Sequence, residues 1–196
     1  YTWNPGALVG ASQTVTPSSN QVYTVIATDV NNCTTNTTQT ISVNTAPSIS
    51  VNSGSICSTQ TFVITPGGAS TYTISGGSFN VSPAFTSTYA VSGTNAQGCV
   101  SSIVISTVNV NALPSVMAMT SNTLICSGTP VNLSAMGATT YTWNTGSNLT
   151  TIAVSPITTT TYTLMGTDVN GCVGTTSITQ NVSTCTDLKT MPEVLE

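Results

Sequence analysis

The stretch TTTTYTLMGTDVNGC (158–172) is one phrase that the chain writes three times. It returns as NQVYTVIATDVNNC (20–33) and as TSTYAVSGTNAQGC (86–99). Each copy alternates apolar residues with Thr, Ser or Ala and then halts at an Asx-x-x-Gly/Asn-Cys turn. Period-two alternation that stops at Asn or Gly predicts a β-strand entering a hairpin turn. In the third copy, Tyr162, Leu164 and Gly166 fall on one strand face and are expected to line the core, with Thr161, Thr163, Met165 and Thr167 outside.

Working outward, fixed distances recur. Val-Ser/Thr-Pro stands at 15–17, 81–83 and 154–156, and a tyrosine follows each proline by six residues (Tyr23, Tyr89, Tyr162). A cysteine follows each of these tyrosines by ten residues (Cys33, Cys99, Cys172). Cys57 precedes Tyr72 by 15 residues, as Cys126 precedes Tyr141. Both tryptophans, Trp3 and Trp143, sit two residues after Tyr1 and Tyr141, and Ile74 takes that place in the middle copy. A spacing of about 70 residues marks tandem domains rather than a solenoid, whose units run to about 20–50 residues.

The fold expected is all-β, a series of tandem immunoglobulin-like β-sandwich domains. Residues 1–44 read as the C-terminal part of one repeat, lacking its first strands, which would belong to a longer array or be supplied by another chain. Residues 45–111 and 112–184 read as two further repeats, and 185–196 as a C-terminal tail or spacer. In the third repeat, strands are expected near 115–120, 131–136, 140–144, 149–155, 160–167 and 173–182. The proline-bearing linkers VNTAPSISV (43–51) and VNALPSVMAM (110–119) contain no glycine, which predicts restricted joints.

Composition narrows function. With one Lys, no Arg and no His, the chain has no imidazole base, and Lys189 stands in the tail away from any serine nucleophile. We therefore expect no enzyme and no catalytic residues. A single cation cannot neutralise a row of phosphates, so nucleic acid is not an expected partner. No phosphate-binding glycine motif occurs, and the six cysteines include no C-x-x-C pair, so no cofactor or metal site is expected. No apolar run approaches the roughly 20 residues of a membrane-spanning helix, and Tyr1 opens without a signal peptide. Asp29 and Asp168 share one turn position with Asn95; a tolerated asparagine points to side-chain-to-backbone turn bonding rather than calcium. Six N-x-[ST] sequons (Asn32, Asn36, Asn80, Asn132, Asn148, Asn181) are what a chain this rich in Asn, Ser and Thr produces by chance.

Widely spaced cysteines predict disulfides and an oxidising, extracellular setting. Four strands separate Cys57 from Cys99 and Cys126 from Cys172. If each strand reverses the last, both partners return to one pole, which predicts the disulfides Cys57–Cys99 and Cys126–Cys172. Cys33 would then pair with a cysteine before residue 1, and Cys185 is left open.

The string ICSGTPVNLSAMGATTYTWN (125–144), followed by Val154-Ser155-Pro156 and the opening phrase, resembles the immunoglobulin-like repeats of large secreted and surface proteins of the Bacteroidota. Gliding and adhesion proteins exported by the type IX secretion system are among these. The resemblance covers residues 1 to about 184 and implies an extracellular, cell-surface structural or adhesive role. In such cargo the segment STCTDLKTMPEVLE (183–196) would be a spacer before a sorting domain, whose motif is missing here.

The charged fraction is 3 per cent, against about 25 per cent in ordinary domains. Low charge favours association between copies, so we expect a non-catalytic stalk, fibre or filament with self-association or other surface proteins as partners. The alternative is an adhesin or glycan-binding module using the variable Tyr to Val-x-Pro segment, which is 16, 11 and 15 residues long in the three copies. An accessory module of a larger secreted enzyme is a third reading. Phe85 is the one aromatic left outside the framework strands as a sugar-stacking candidate.

Overall fold

The computed structural model describes residues 1–185. Tail residues 186–196, to which the spacer reading and Lys189 belong, lie outside the described residues. All regular structure among the described residues is β. Residues 1–44 form β1 (Thr2–Asn4), β2 (Leu8–Val9), β3 (Gln21–Thr28) and β4 (Thr34–Ile41). Residues 45–111 form β5 (Ser50–Val51), β6 (Gly54–Cys57), β7 (Phe62–Val63), β8 (Pro66–Gly67), β9 (Thr71–Ile74), β10 (Asn80–Val81), β11 (Ser87–Thr94) and β12 (Val104–Asn111). From 112 onward come β13 (Met117–Thr120), β14 (Leu124–Cys126), β15 (Val131–Met136), β16 (Thr140–Trp143), β17 (Thr151–Val154), β18 (Thr160–Thr167) and β19 (Val173–Ser183).

Two compact units result. One comprises Tyr1–Val51, Pro66–Gly77 and Ala90–Val104; the other comprises Asn52–Thr65, Ser78–Tyr89 and the chain from Ile105 on.

The second unit contains a complete immunoglobulin-like sandwich. Its sheets run β13-β15-β17 and β14-β19-β18-β16. Leu133 and Ala135 of β15 and Ile152 of β17 meet Tyr141 and Trp143 of β16 and Tyr162 and Leu164 of β18 in one buried cluster. The period-two pattern explains this directly: on β18, Tyr162, Leu164 and Gly166 are buried and the intervening Thr163 and Met165 are exposed. Trp143 is 1% exposed, and its indole Nε1–H donates to the Leu149 carbonyl at 3.0 Å. A large aromatic can be buried this deeply because its one polar atom is satisfied. The Tyr141 hydroxyl does the same, accepting from the Ala138 N–H at 3.0 Å and donating to the Ala138 carbonyl at 2.8 Å.

At Gly166 the two sheets come close. A Cβ there would lie 2.7 Å from both the Ala138 Cβ and the Val116 Cγ2, a separation real side chains do not adopt. Gln180, fully buried on β19, accepts from the Thr120 hydroxyl at 2.6 Å and donates to the Asn181 carbonyl at 3.2 Å. The same unit holds the β7·β10 pair and the parallel pairing of β6 with β12.

In the first unit, β1 to β4 form a sheet of order β2-β1-β3-β4. Tyr23 of β3 is buried, and the Trp3 indole donates to the Gly10 carbonyl at 2.9 Å, as Trp143 does to Leu149. This unit also holds β9 paired with the end of β11, and β5 with β8. The Tyr72 hydroxyl bonds Ala69 as Tyr141 bonds Ala138.

The expected cysteine pairings are not what the structure shows. Cys57 is bonded to Cys172 and Cys126 to Cys185, while Cys33 and Cys99 carry free thiols. The expectation failed at β14, a strand missing from the sequence reading. β14 pairs in parallel with β19, with Cys126 opposite Ser183, whereas Cys172 stands just before Val173, where β19 begins. An 11-residue strand at roughly 3.3 Å per residue therefore separates Cys126 from Cys172. Because β14 and β19 run in the same direction, Cys126 at the end of β14 and Cys172 just before the start of β19 stand at opposite poles. Cys185, two residues past Ser183, is within reach instead, with Cα atoms 5.4 Å apart.

Parallel pairing also places Cys57 opposite Asn111, at the end of β12 where the chain leaves for β13. The Pro114 carbonyl then packs on Gly174, since a Cβ built at Gly174 would lie 2.4 Å from it. That seat brings Cys172 against Cys57, with Cα atoms 5.5 Å apart.

Candidate functional site

The most repeated chemistry in the chain is the cysteine-bearing turn. In each copy the Asx side chain folds back onto the backbone. Asp29 Oδ1 accepts from the N–H groups of Asn31 and Cys33, both at 2.8 Å. Asn95 Oδ1 accepts from Gln97 at 3.1 Å and Cys99 at 2.9 Å, and Asp168 Oδ1 from Asn170 and Cys172, both at 2.8 Å. The backbone closes each turn with N–H to C=O bonds of 3.0 Å from Asp29 to Cys33, Asn95 to Cys99 and Asp168 to Cys172. The acids thus do the turn bonding expected of them. Positive φ falls on Asn32, Gly98 and Gly171, residue types suited to that region.

The three turns hold their sulfurs in one geometry with different outcomes. Cys172 is fully buried and disulfide-bonded, Cys99 is half-buried, and Cys33 is exposed. The Cys99 Sγ lies 3.6 Å from the Asn44 carbonyl and donates to it. Of the four cysteines expected to form disulfides, the structure joins Cys57 and Cys172, gives Cys126 the partner Cys185, and leaves Cys99 free. The sequence signal that could have found this was Leu124-Ile125-Cys126 itself, a short apolar run that continues the first strand after a bend.

Outward hydroxyls satisfy one another. Thr161 and Thr179 share a bond of 2.9 Å across β18 and β19, Thr73 and Ser92 one of 2.7 Å, and Thr61 and Ser82 one of 2.8 Å. Such pairs are how threonine supports a solvated sheet face. Two shallow, open depressions mark the surface. One, of about 430 Å³, is lined by Tyr1, Asp29, Cys33 and neighbouring threonines. The other, of about 390 Å³, is lined by Tyr141, Asn148 and the hydroxyls of Thr139, Thr140, Thr142 and Thr150. Phe85 is 81% exposed. Among the described residues, no cluster of three or more His, Cys, Asp or Glu side chains converges, and no helix is long and apolar enough to cross a membrane.

No protein-family model matches the chain, and no curated protein matches it. Solved structures do resemble it in fold. An amphioxus IgVJ-C2 molecule matches at 14% identity over 48% of this chain and 58% of that one, with a TM-score of 0.30. A calcium-stabilised ice-binding adhesin of an Antarctic bacterium matches at 16% identity over 85% and 57%, with a TM-score of 0.36. Extracellular domains 3–5 of Drosophila OTK match at 12% identity over 84% and 72%, with a TM-score of 0.35. The chain spans less than two thirds of the first two.

Proposed function

We propose that the chain is a non-catalytic structural segment of an extracellular surface protein, a stalk of immunoglobulin-like repeats that bears load. The observation that carries this reading is the Cys57–Cys172 disulfide, which staples the end of β6 in one sequence repeat (45–111) to the turn of the next (112–184). A bond of this kind fixes neighbouring modules covalently, and it requires an oxidising compartment. The exterior supports the same role, since residues 1–184 carry only two charged side chains, Asp29 and Asp168. The sequence resemblance supports display at the cell surface by a type IX route, with self-association through the uncharged faces.

Single-molecule pulling between the chain ends tests the reading. In the oxidised chain the staple shields the 115-residue separation between Cys57 and Cys172. At ~3.5 Å per extended residue, its release contour is about 400 Å shorter than that of the reduced chain. Equal contours with and without reductant would overturn the load-bearing role.

A second reading, glycan binding, is favoured by the depression beside the variable segment 141–156, whose Asn148 and threonine hydroxyls are the groups that engage sugar hydroxyls. Glycan-array binding that Asn148→Ala abolishes would support it; an array without signal would remove it.

A further inference from the structure

The edge of β4 and the free thiol of Cys99, both in the first unit, belong to one site. The first and third copies align residue by residue, and the middle copy carries one extra residue between Cys99 and Val110. β3 and β4 pair with Thr28 opposite Thr34 and Gln21 opposite Ile41; β18 and β19 pair with Thr167 opposite Val173 and Thr160 opposite Gln180. Thr34 is therefore the counterpart of Val173, Val43 of Val182, and Asn44 of Ser183. Side-chain caps confirm the match and extend it to the middle copy. The N–H of Val43 donates to Asn20 Oδ1 at 2.7 Å, that of Val110 to Thr86 Oγ1 at 3.1 Å, and that of Val182 to Thr159 Oγ1 at 3.1 Å.

At this position the other two copies carry a parallel strand. Ile56-Cys57 of β6 pairs with Val110-Asn111, and Ile125-Cys126 of β14 with Val182-Ser183. The serine after each cysteine then donates to the facing carbonyl, Ser58 to Asn111 at 2.8 Å and Ser127 to Ser183 at 3.0 Å. Among the described residues β4 is the end of its sheet, with every side chain but Ile41 exposed. The carbonyl that corresponds to those of Asn111 and Ser183 is that of Asn44, and it accepts the Cys99 S–H. In the stapled case the cysteine opposite Asn111 is Cys57, and its partner Cys172 is the counterpart of Cys99.

We propose that the segment Ser42–Asn44, at the end of β4, receives a parallel β-strand carrying Ile-Cys-Ser, whose cysteine becomes disulfide-bonded to Cys99. The isoleucine pairs with Val43, the cysteine with Asn44, and the serine N–H takes the Asn44 carbonyl. Backbone pairing gives affinity and the apolar-Cys-Ser order gives register. A small-molecule disulfide of the glutathione class supplies the oxidant. The strand thiolate displaces one small thiol to form a mixed disulfide, and the Cys99 thiolate then attacks the strand sulfur and expels the second thiol. Two protein thiols lose two protons and two electrons, and one small disulfide becomes two small thiols. This proposal stands independently of the stalk reading.

The test uses the full chain and the peptide Asn-Ser-Gly-Ser-Ile-Cys-Ser-Thr (residues 52–59) in a glutathione redox buffer, with adducts located by mass spectrometry. Glutathione alone modifies the exposed Cys33 preferentially. The peptide modifies Cys99 over Cys33 by about tenfold or more, because strand pairing raises its effective concentration there. A peptide carrying Ile56→Asp loses that preference. In the Cys99→Ser variant, excess peptide still slows amide exchange across residues 42–44. The proposal is overturned by a peptide adduct distributed as glutathione is, by an Ile56→Asp peptide that reacts like the parent, or by unchanged exchange at 42–44.

Discussion

Replacing Cys57 with serine tests the staple most directly. In the chain-entropy model a cross-link restricts the unfolded chain by about 2.1 + 1.5R ln n cal/mol/K. With n near the 115-residue separation of Cys57 and Cys172, the loss is about 4.8 kcal/mol at 25 °C. Cys126–Cys185, at a separation of 59, gives about 4.2 kcal/mol. Cys99 contributes a single S–H···O contact of 3.6 Å, so Cys99→Ser should lie within about 0.5 kcal/mol of the parent. Urea unfolding followed by tryptophan fluorescence in a Trp3→Phe background leaves Trp143 as the sole reporter, inside the sandwich the staple secures. With m of about 2 kcal/mol/M, Cys57→Ser should lower the midpoint by roughly 2 M under oxidising conditions, and reductant should erase the difference. The pairing is refuted if Cys99→Ser is as costly as Cys57→Ser, or if a non-reduced digest yields a Cys57–Cys99 peptide.

Other expectations follow from single contacts. Trp143→Ala should cost about 3–5 kcal/mol by opening a cavity in the buried cluster, whereas Trp143→Phe keeps most of the packing and loses the bond to Leu149 for about 1 kcal/mol; urea titration separates the two. Gly166→Ala should destabilise by about 1–3 kcal/mol, because its Cβ would press on Ala138 and Val116, and a thermal midpoint reads the loss. Asp168→Ala removes the acceptor for two backbone N–H groups and should cost about 1–2 kcal/mol, while Asp168→Asn should be near neutral because Asn95 makes the same two bonds; faster amide exchange at Asn170 and Cys172 in the alanine variant alone confirms the mechanism.

What the sequence made legible was whatever depends on local period. Tyr162, Leu164 and Gly166 announced the core face of β18 by alternation, and the spacing of two marked Tyr141 and Trp143 as a repeated pair. The Asx turns were legible because Asn95 replaces Asp29 and Asp168 without change of spacing, which only backbone bonding tolerates. The disulfide partners were not, because pairing depends on strand direction. β14 has three residues, Leu124–Cys126, too few to show alternation, and its parallel alignment on β19 is a long-range choice made by the sheet. Because that short strand runs parallel to β19, Cys126 lies beside the end of β19 and Cys172 before its start, one strand length apart. The proposed strand site on β4 was equally hidden, since it rests on equating Asn44 with Asn111 and Ser183, which only the registers reveal.

The two disulfides overlap along the chain, 57 to 172 and 126 to 185. A protease that cuts anywhere from 58 to 171 leaves both products tied by Cys57–Cys172, and a cut from 173 to 184 leaves them tied by Cys126–Cys185. A single nick across this whole interval severs the backbone without releasing a fragment. In protease-rich surroundings the segment would keep its hold on whatever it connects until a second, reductive event occurs.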